Sequence, residues 1–288
     1  MSGALAARTA AEVIAAQTGG PPVLVATVIA APEGGRTPVG AKMLLRRDGS
    51  TLGALDGGPL DAAVVADAAE AFRRHGVQSI YLAPDGARLT RQQAAGVPSY
   101  QIMLEVHEAP ATLLIVGGGH IGKALATLGD LCGFSVAVLD DRPDYANPER
   151  FPEADRVICA DFVTALREFP IDAGTYVVCV TRGHKHDEAS LREVVSSPAA
   201  YVGMIGSRRR VGAVLRHLID EGADAEAVAR VHTPIGLDIG AETPEEIAVA
   251  IMAEVIQVRR GGSGRPMLEV KKARRGIAPA ERVPQAEE

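Results

Sequence analysis

Tryptophan is absent from the 288 residues, and aromatic residues as a whole make up only 3%. A chain so poor in rings has no stacking platform for single-stranded nucleic acid. A surplus of positive charge is lacking as well. The 30 Lys and Arg stand against 36 Asp and Glu, a net charge of -6, which argues against nucleic-acid binding through the phosphate backbone. No apolar run approaches the ~18 residues needed to span a bilayer, so no membrane association is expected. Cysteine is scarce: Cys132, Cys159 and Cys179 form no Cys-x-x-Cys pair. Cys159 and Cys179 fall in apolar, strand-like runs, and all three are expected to be buried, reduced thiols, which suits a reducing compartment. The opening stretch carries Arg8 and Glu12 among its alanines, which interrupts a signal-peptide core and reads as a helix. The expected location is the cytoplasm.

What is present is ordinary for a globular chain: 47% hydrophobic and 23% charged residues. At roughly 150 residues per domain, about two domains are expected. Residues 1–109 read as a small α+β domain. A helix over 4–17 is followed by a strand over 22–30, then by two short strands around Asp48-Gly49 and a helix over 61–75. Two more strands precede Pro110. The pattern then changes to short apolar strands alternating with helices: 112–116, 134–140, 156–160, 175–181 and 200–206. Strands apolar throughout are covered on both faces, so residues 110–262 read as a Rossmann-like, doubly wound parallel sheet, and the whole chain as α/β. Thr243-Pro244-Glu245-Glu246 is a capping box that opens a last helix. Residues 263–288 are charged and contain proline, and are expected to be a disordered tail.

The strongest motif is Gly117-Gly118-Gly119-His120-Ile121-Gly122, which fits G-x-G-x-x-G. It follows an apolar strand and opens a helix, and Asp140 closes the next strand, which is the setting the fingerprint requires. Gly117 permits the tight turn, Gly119 lets the backbone approach a phosphate, and Gly122 lets helix and strand pack closely. The helix N-terminus at His120 and Ile121 supplies free donors and partial positive charge. Asp140 or Asp141 can accept hydrogen bonds from a ribose diol. Ligands in such folds bind beyond the carboxyl ends of the strands. Two polar bursts fall there, Arg182-Gly183-His184-Lys185-His186-Asp187 and Ser207-Arg208-Arg209-Arg210. Arg182, His184 and Asp187 are candidate ligand contacts. Ser207 is a candidate helix cap, and Arg208 or Arg209 can fork onto a phosphate. No metal site is expected. No Tyr is followed by Lys four residues on, and neither a G-x-S-x-G elbow nor a P-loop occurs, so no catalytic residue is assigned.

Taken together, LLIVGGGHIGKALA, VLDDRPDYANPERFPEAD, VTRGHKHDE, YVGMIGSRRR and PIGLDIGAETPEEIAVAIMAEV resemble the XdhC/CoxI family, whose members include the xanthine dehydrogenase accessory factor. VATVIAAPEGGRTPVGAKMLLRRDGSTLGALDGGPLDAAV resembles that family's N-terminal domain. The resemblance implies an accessory protein, a cofactor chaperone rather than an enzyme. It implies binding of molybdenum cofactor, as molybdopterin or its cytosine dinucleotide, and delivery to an apo-molybdoenzyme of the xanthine dehydrogenase or carbon monoxide dehydrogenase class. It implies a cysteine desulfurase as a candidate partner; Arg142 is a further candidate cofactor contact, and a homodimer is the expected assembly. The family has Gly-Gly-Cys, with Glu two residues on, where this chain has Gly57-Gly58-Pro59-Leu60-Asp61. Pro59 offers no thiolate for soft metal or sulfur. The expectation is therefore a grip on the pterin and phosphate end alone, with Gly57 and Gly58 admitting the pterin. The alternatives are an NAD(P)-dependent oxidoreductase and a nucleotide-sensing regulatory subunit.

Overall fold

A computed structural model of the chain describes residues 3–274. Two compact units divide between Ala111 and Thr112. The first contains α1 (Gly3–Gln17), β1 (Val23–Ala30), β2 (Lys42–Arg46), β3 (Thr51–Gly53), α2 (Pro59–Arg74), β4 (Val77–Leu82), β5 (Arg88–Leu89), α3 (Arg91–Ala94) and β6 (Tyr100–His107). Its six-stranded sheet has the order β3-β2-β1-β6-β4-β5, and every pair is antiparallel. The central strand β1 is apolar along most of its length because both faces are covered. Leu24, Ala26 and Val28 join Leu60, Val64 and Phe72 of α2 in one core. Val23 and Val25 join Ala16 of α1 in another.

The second unit contains β7 (Thr112–Val116), α4 (His120–Leu131), β8 (Ser135–Asp140), β9 (Arg156–Cys159), α5 (Phe162–Glu168) and β10 (Thr175–Cys179). It continues with α6 (His184–Val194), β11 (Tyr201–Met204), α7 (Arg208–Asp220), α8 (Ala225–Ala229), α9 (Pro244–Arg260) and α10 (Met267–Arg274). Its five strands are all parallel in the order β11-β10-β7-β8-β9. Counted within the unit that order is that of a Rossmann sheet, and the direction of winding reverses between β7 and β10. One face, with Leu114, Val116, Leu139 and Val177, packs against Phe162 and Leu166 of α5, Leu191 of α6 and Leu218 of α7. α4 packs on β7 and β8 and against α9. The doubly wound α/β reading of the sequence is what the structure shows.

Two expectations need correction. Cys132 and Cys159 are exposed, and only Cys179 is buried. Cys159 lies on β9, the edge strand, which lacks a neighbour on one side and is only partly covered. Cys132 sits at the C-cap of α4. The stretch expected to be a disordered tail from 263 contains α10; the rest of it, 275–288, lies outside the described residues.

Candidate functional site

The glycine loop lies at the switch point of the parallel sheet. Gly117 leaves β7 at φ 119°, a conformation that favours glycine, and a Cβ there would run into the backbone of Val180 just beyond β10. At Gly118 a Cβ would overlap the carbonyl of Tyr145, and at Gly122 the carbonyl of Gly117. Gly119 differs: its φ is -67°, and a Cβ would meet nothing within 4 Å. Three glycines are thus demanded by the protein's own packing, while the space beside Gly119 is open for something else. Gly119 is the N-cap of α4 and has no side chain to cap it. The first-turn N–H groups of α4 therefore lack intrahelical acceptors and carry the positive end of the helix dipole.

They border a cleft of about 350 Å³, lined by Gly119, His120, Ile121, Asp140, Arg142, Tyr145, Val180, Thr181, Arg182 and Pro244. That volume is within the range of small-molecule sites, roughly 300–1,000 Å³. Pro244 begins α9, whose capping box is formed: Thr243 Oγ1 accepts from Glu246 N–H, and Glu246 Oε2 accepts from Thr243 N–H.

Asp140 is the best-held side chain of the site, with 1% of its surface exposed. Its Oδ2 accepts from Gly118 N–H at 2.9 Å and from Arg142 Nη2 at 3.0 Å. Its Oδ1 accepts from the Arg142 backbone N–H at 3.1 Å and from Arg142 Nε at 2.9 Å. Burial pushes its carboxyl upward, but these bonds and the adjacent guanidinium outweigh burial and hold it below its ordinary value. The expected ribose acceptor is therefore turned inward, to anchor the loop and an arginine. Asp141 is ion-paired through Oδ2 with Arg182 Nη2 at 2.9 Å, and its Oδ1 is buried without a hydrogen bond. It does not line the cleft.

Arg142 also stacks on Tyr145, with Cζ 3.6 Å from the ring centroid, and Arg150 lies at 5.2 Å from the same ring. Arg150 Nε donates to Gly118 O at 3.1 Å. The segment after β8 thus folds back over the glycine loop. Tyr145 lines the cleft and Arg150 and Gly118 brace it, positions that the fingerprint alone did not identify; the arginines flanking Tyr145 were the available signal.

The remaining expected residues divide. Arg182 lines the cleft with His120 and Ile121. Asp187 is buried and structural: its Oδ1 accepts from Thr181 N–H at 3.1 Å and from Thr181 Oγ1 at 2.6 Å, which fixes the turn that carries Arg182. Ser207 is the N-cap of α7 but makes no side-chain capping bond, and Arg209 is exposed on the first turn of that helix. The side chains of His184, which opens α6, and Arg208, which opens α7, lie outside the described residues. Gly57 and Gly58 belong to the first unit. They enter α2 in a turn held by two carboxylates: Asp56 accepts from Gly58, Leu60 and Asp61 N–H, and Asp61 from Leu55, Asp56 and Gly57 N–H. Pro59 takes the first helical position, where its missing N–H costs nothing. Among the described residues, no group of three or more His, Cys, Asp or Glu side chains is placed to hold a metal ion. No described helix is long and apolar enough to cross a membrane.

The family model described as XdhC Rossmann domain matches residues 113–255, and the one described as XdhC and CoxI family matches residues 6–81. The chain is 33% identical over 232 residues to the uncharacterized protein YqeB of Escherichia coli (strain K12), covering 80% of this chain and 42% of that protein. It is 35% identical over 153 residues to a probable xanthine dehydrogenase subunit of Bacillus subtilis (strain 168), covering 53% of this chain and 44% of that protein. It therefore spans less than half the length of these relatives. A crystal structure of a xanthine dehydrogenase from Bacillus halodurans aligns with a TM-score of 0.49 at 21% identity, over 87% of this chain and 95% of that one. The loop, the cleft and the strand order all fall inside the matched Rossmann segment, the first-unit segment is matched independently, and the chain belongs to the XdhC and CoxI family.

Proposed function

We propose that this chain is an accessory protein that binds molybdenum cofactor, as molybdopterin or its cytosine dinucleotide, and supports its insertion into a molybdoenzyme of the xanthine dehydrogenase class. One observation carries the reading. Gly119 opens onto a cleft bordered by the uncapped N-terminus of α4 and by two arginines, Arg142 and Arg182. Such a cradle suits a phosphate, with backbone N–H groups as donors and guanidinium groups as counter-charges. Family membership and the name of the B. subtilis relative support the choice of client class, and the cofactor is the one that the family resemblance implies.

The residues fit the phosphate end of the cofactor. The first-turn N–H groups of α4 receive the phosphate, Arg142 and Arg182 neutralise it, and Tyr145 forms an adjoining wall. The metal end finds no matching ligand set among the described residues, and Pro59 stands where the family resemblance implies a thiol. When bound, the cofactor brings the redox-active metal centre that the client enzyme uses. The chain's own residues hold and release it, and none is assigned a chemical step. A cysteine desulfurase and a second copy of the chain belong to this reading as further partners. The test is activation of a cofactor-free molybdoenzyme of this class by chain purified from a molybdenum-replete host. Activation above that given by free cofactor extract supports the reading; equal activation with and without the chain refutes it.

A further inference from the structure

We infer that the cleft rejects a ligand that presents a free ribose diol at the end of β8 and selects one that places an anionic group against Arg142. The inference rests on the phosphate-cradle reading of the same cleft and names what that cleft discriminates.

A carboxylate has about four lone-pair positions. Asp140 uses all of them: Arg142 Nε and Nη2, the Arg142 backbone N–H and Gly118 N–H each take one. No acceptor capacity remains for the two hydroxyls that such a residue receives in a dinucleotide site. Asp141 does not replace it, because Oδ2 is engaged by Arg182 and Oδ1 is closed off from solvent. A diol placed here would leave its donors unpaired, and a missing partner in a polar site is a strong basis for rejection.

The same four bonds prepare the opposite selectivity. One edge of the Arg142 guanidinium, Nε and Nη2, is held by Asp140, and its face lies on Tyr145. The Nη1 edge has no protein hydrogen bond among the described residues, and Arg142 lines the cleft. A guanidinium fixed on one edge and one face binds an anion with little further loss of side-chain freedom. Arg182, ion-paired with Asp141 through Nη2 alone, brings further guanidinium N–H donors to the same wall.

NAD and NADP serve as test probes, because they differ only in whether this ribose carries a 2′-hydroxyl or a 2′-phosphate. Calorimetry on the full chain should show NADP binding at least about tenfold more tightly than NAD. Arg142→Gln should erase that difference. Arg265→Gln removes the same charge outside the cleft lining and should preserve it, which separates contact from long-range attraction. NAD binding as tightly as NADP, a preference that survives Arg142→Gln, or no binding of either dinucleotide would each overturn the inference. The cofactor reading fails separately, on molybdenum content: a chain that retains molybdenum yet prefers NAD overturns only this selectivity.

Discussion

Asp140 and Gly118 are joined across the tip of the parallel sheet by a single hydrogen bond of 2.9 Å, from the glycine N–H to a carboxylate that is almost wholly buried. On its other side the Gly118 carbonyl accepts from Arg150. The middle glycine of the triplet is thus clamped through both backbone groups, and its neighbour Gly119 is left free to face the cleft.

This clamp separates two glycine substitutions that look alike in sequence. Gly118→Ala forces a Cβ onto the Tyr145 carbonyl and should destabilise the chain by about 3 kcal/mol or more. Gly119→Val fills open space at an ordinary φ and should cost about 1 kcal/mol through the poorer N-cap. Urea denaturation of both variants measures the difference. Equal stabilities would contradict the packing described for the loop.

Thiol labelling should divide the cysteines two to one. Cys132 and Cys159 are exposed and should react in the native protein. Cys179 lies in the core, where burial pushes its thiol well above the ordinary value and so disfavours the reactive thiolate. Mass spectrometry after brief alkylation should find two adducts on the folded chain and three on the unfolded one. Three adducts on the folded chain would place Cys179 within reach of solvent.

Acid should destabilise the second unit through two carboxylates. Burial raises Asp140 and Glu254, but hydrogen bonds outweigh it in both, so each titrates below its ordinary value, 3.8 and 4.5 respectively. Glu254 Oε2 accepts from Tyr201 Oη at 2.6 Å and from Gly236 N–H at 2.8 Å, and Oε1 faces His232 Nδ1 at 3.3 Å. A carboxyl whose folded value is depressed contributes fully above its unfolded value, and that contribution is lost as pH falls through the folded value. Stability should therefore drop as pH falls below about 5, through and beyond the ordinary carboxylate range, and less steeply in Asp140→Asn and Glu254→Gln. A slope unchanged in both variants would contradict these assignments.

Much of the site could be read in the sequence because glycine carries positional meaning. Gly117, Gly119 and Gly122 are spaced for a strand-to-helix turn, and the turn forms where the spacing places it. The direction of Asp140 could not be read in the same way. The residue ends β8 as expected, but its partner Arg142 lies two positions on, and only the backbone path after the strand brings the guanidinium back onto it. Tyr145 was hidden in a loop with no period. The string RVICA resembles a central strand, yet strand order puts it at the edge, and order is decided by contacts far apart in sequence. Tyr201 and Glu254 are likewise distant in sequence and meet only in the folded unit.

The central claim is that the cleft beside Gly119 holds the phosphate end of molybdenum cofactor. Molybdenum and pterin content per protomer, measured on wild type and on folded Gly119→Val from the same molybdenum-replete host, tests it most directly. The account predicts substantial occupancy in wild type and a loss of at least about tenfold in the variant, because the branched side chain takes the space of the phosphate. Equal occupancy in the two proteins, or none in wild type, would contradict it.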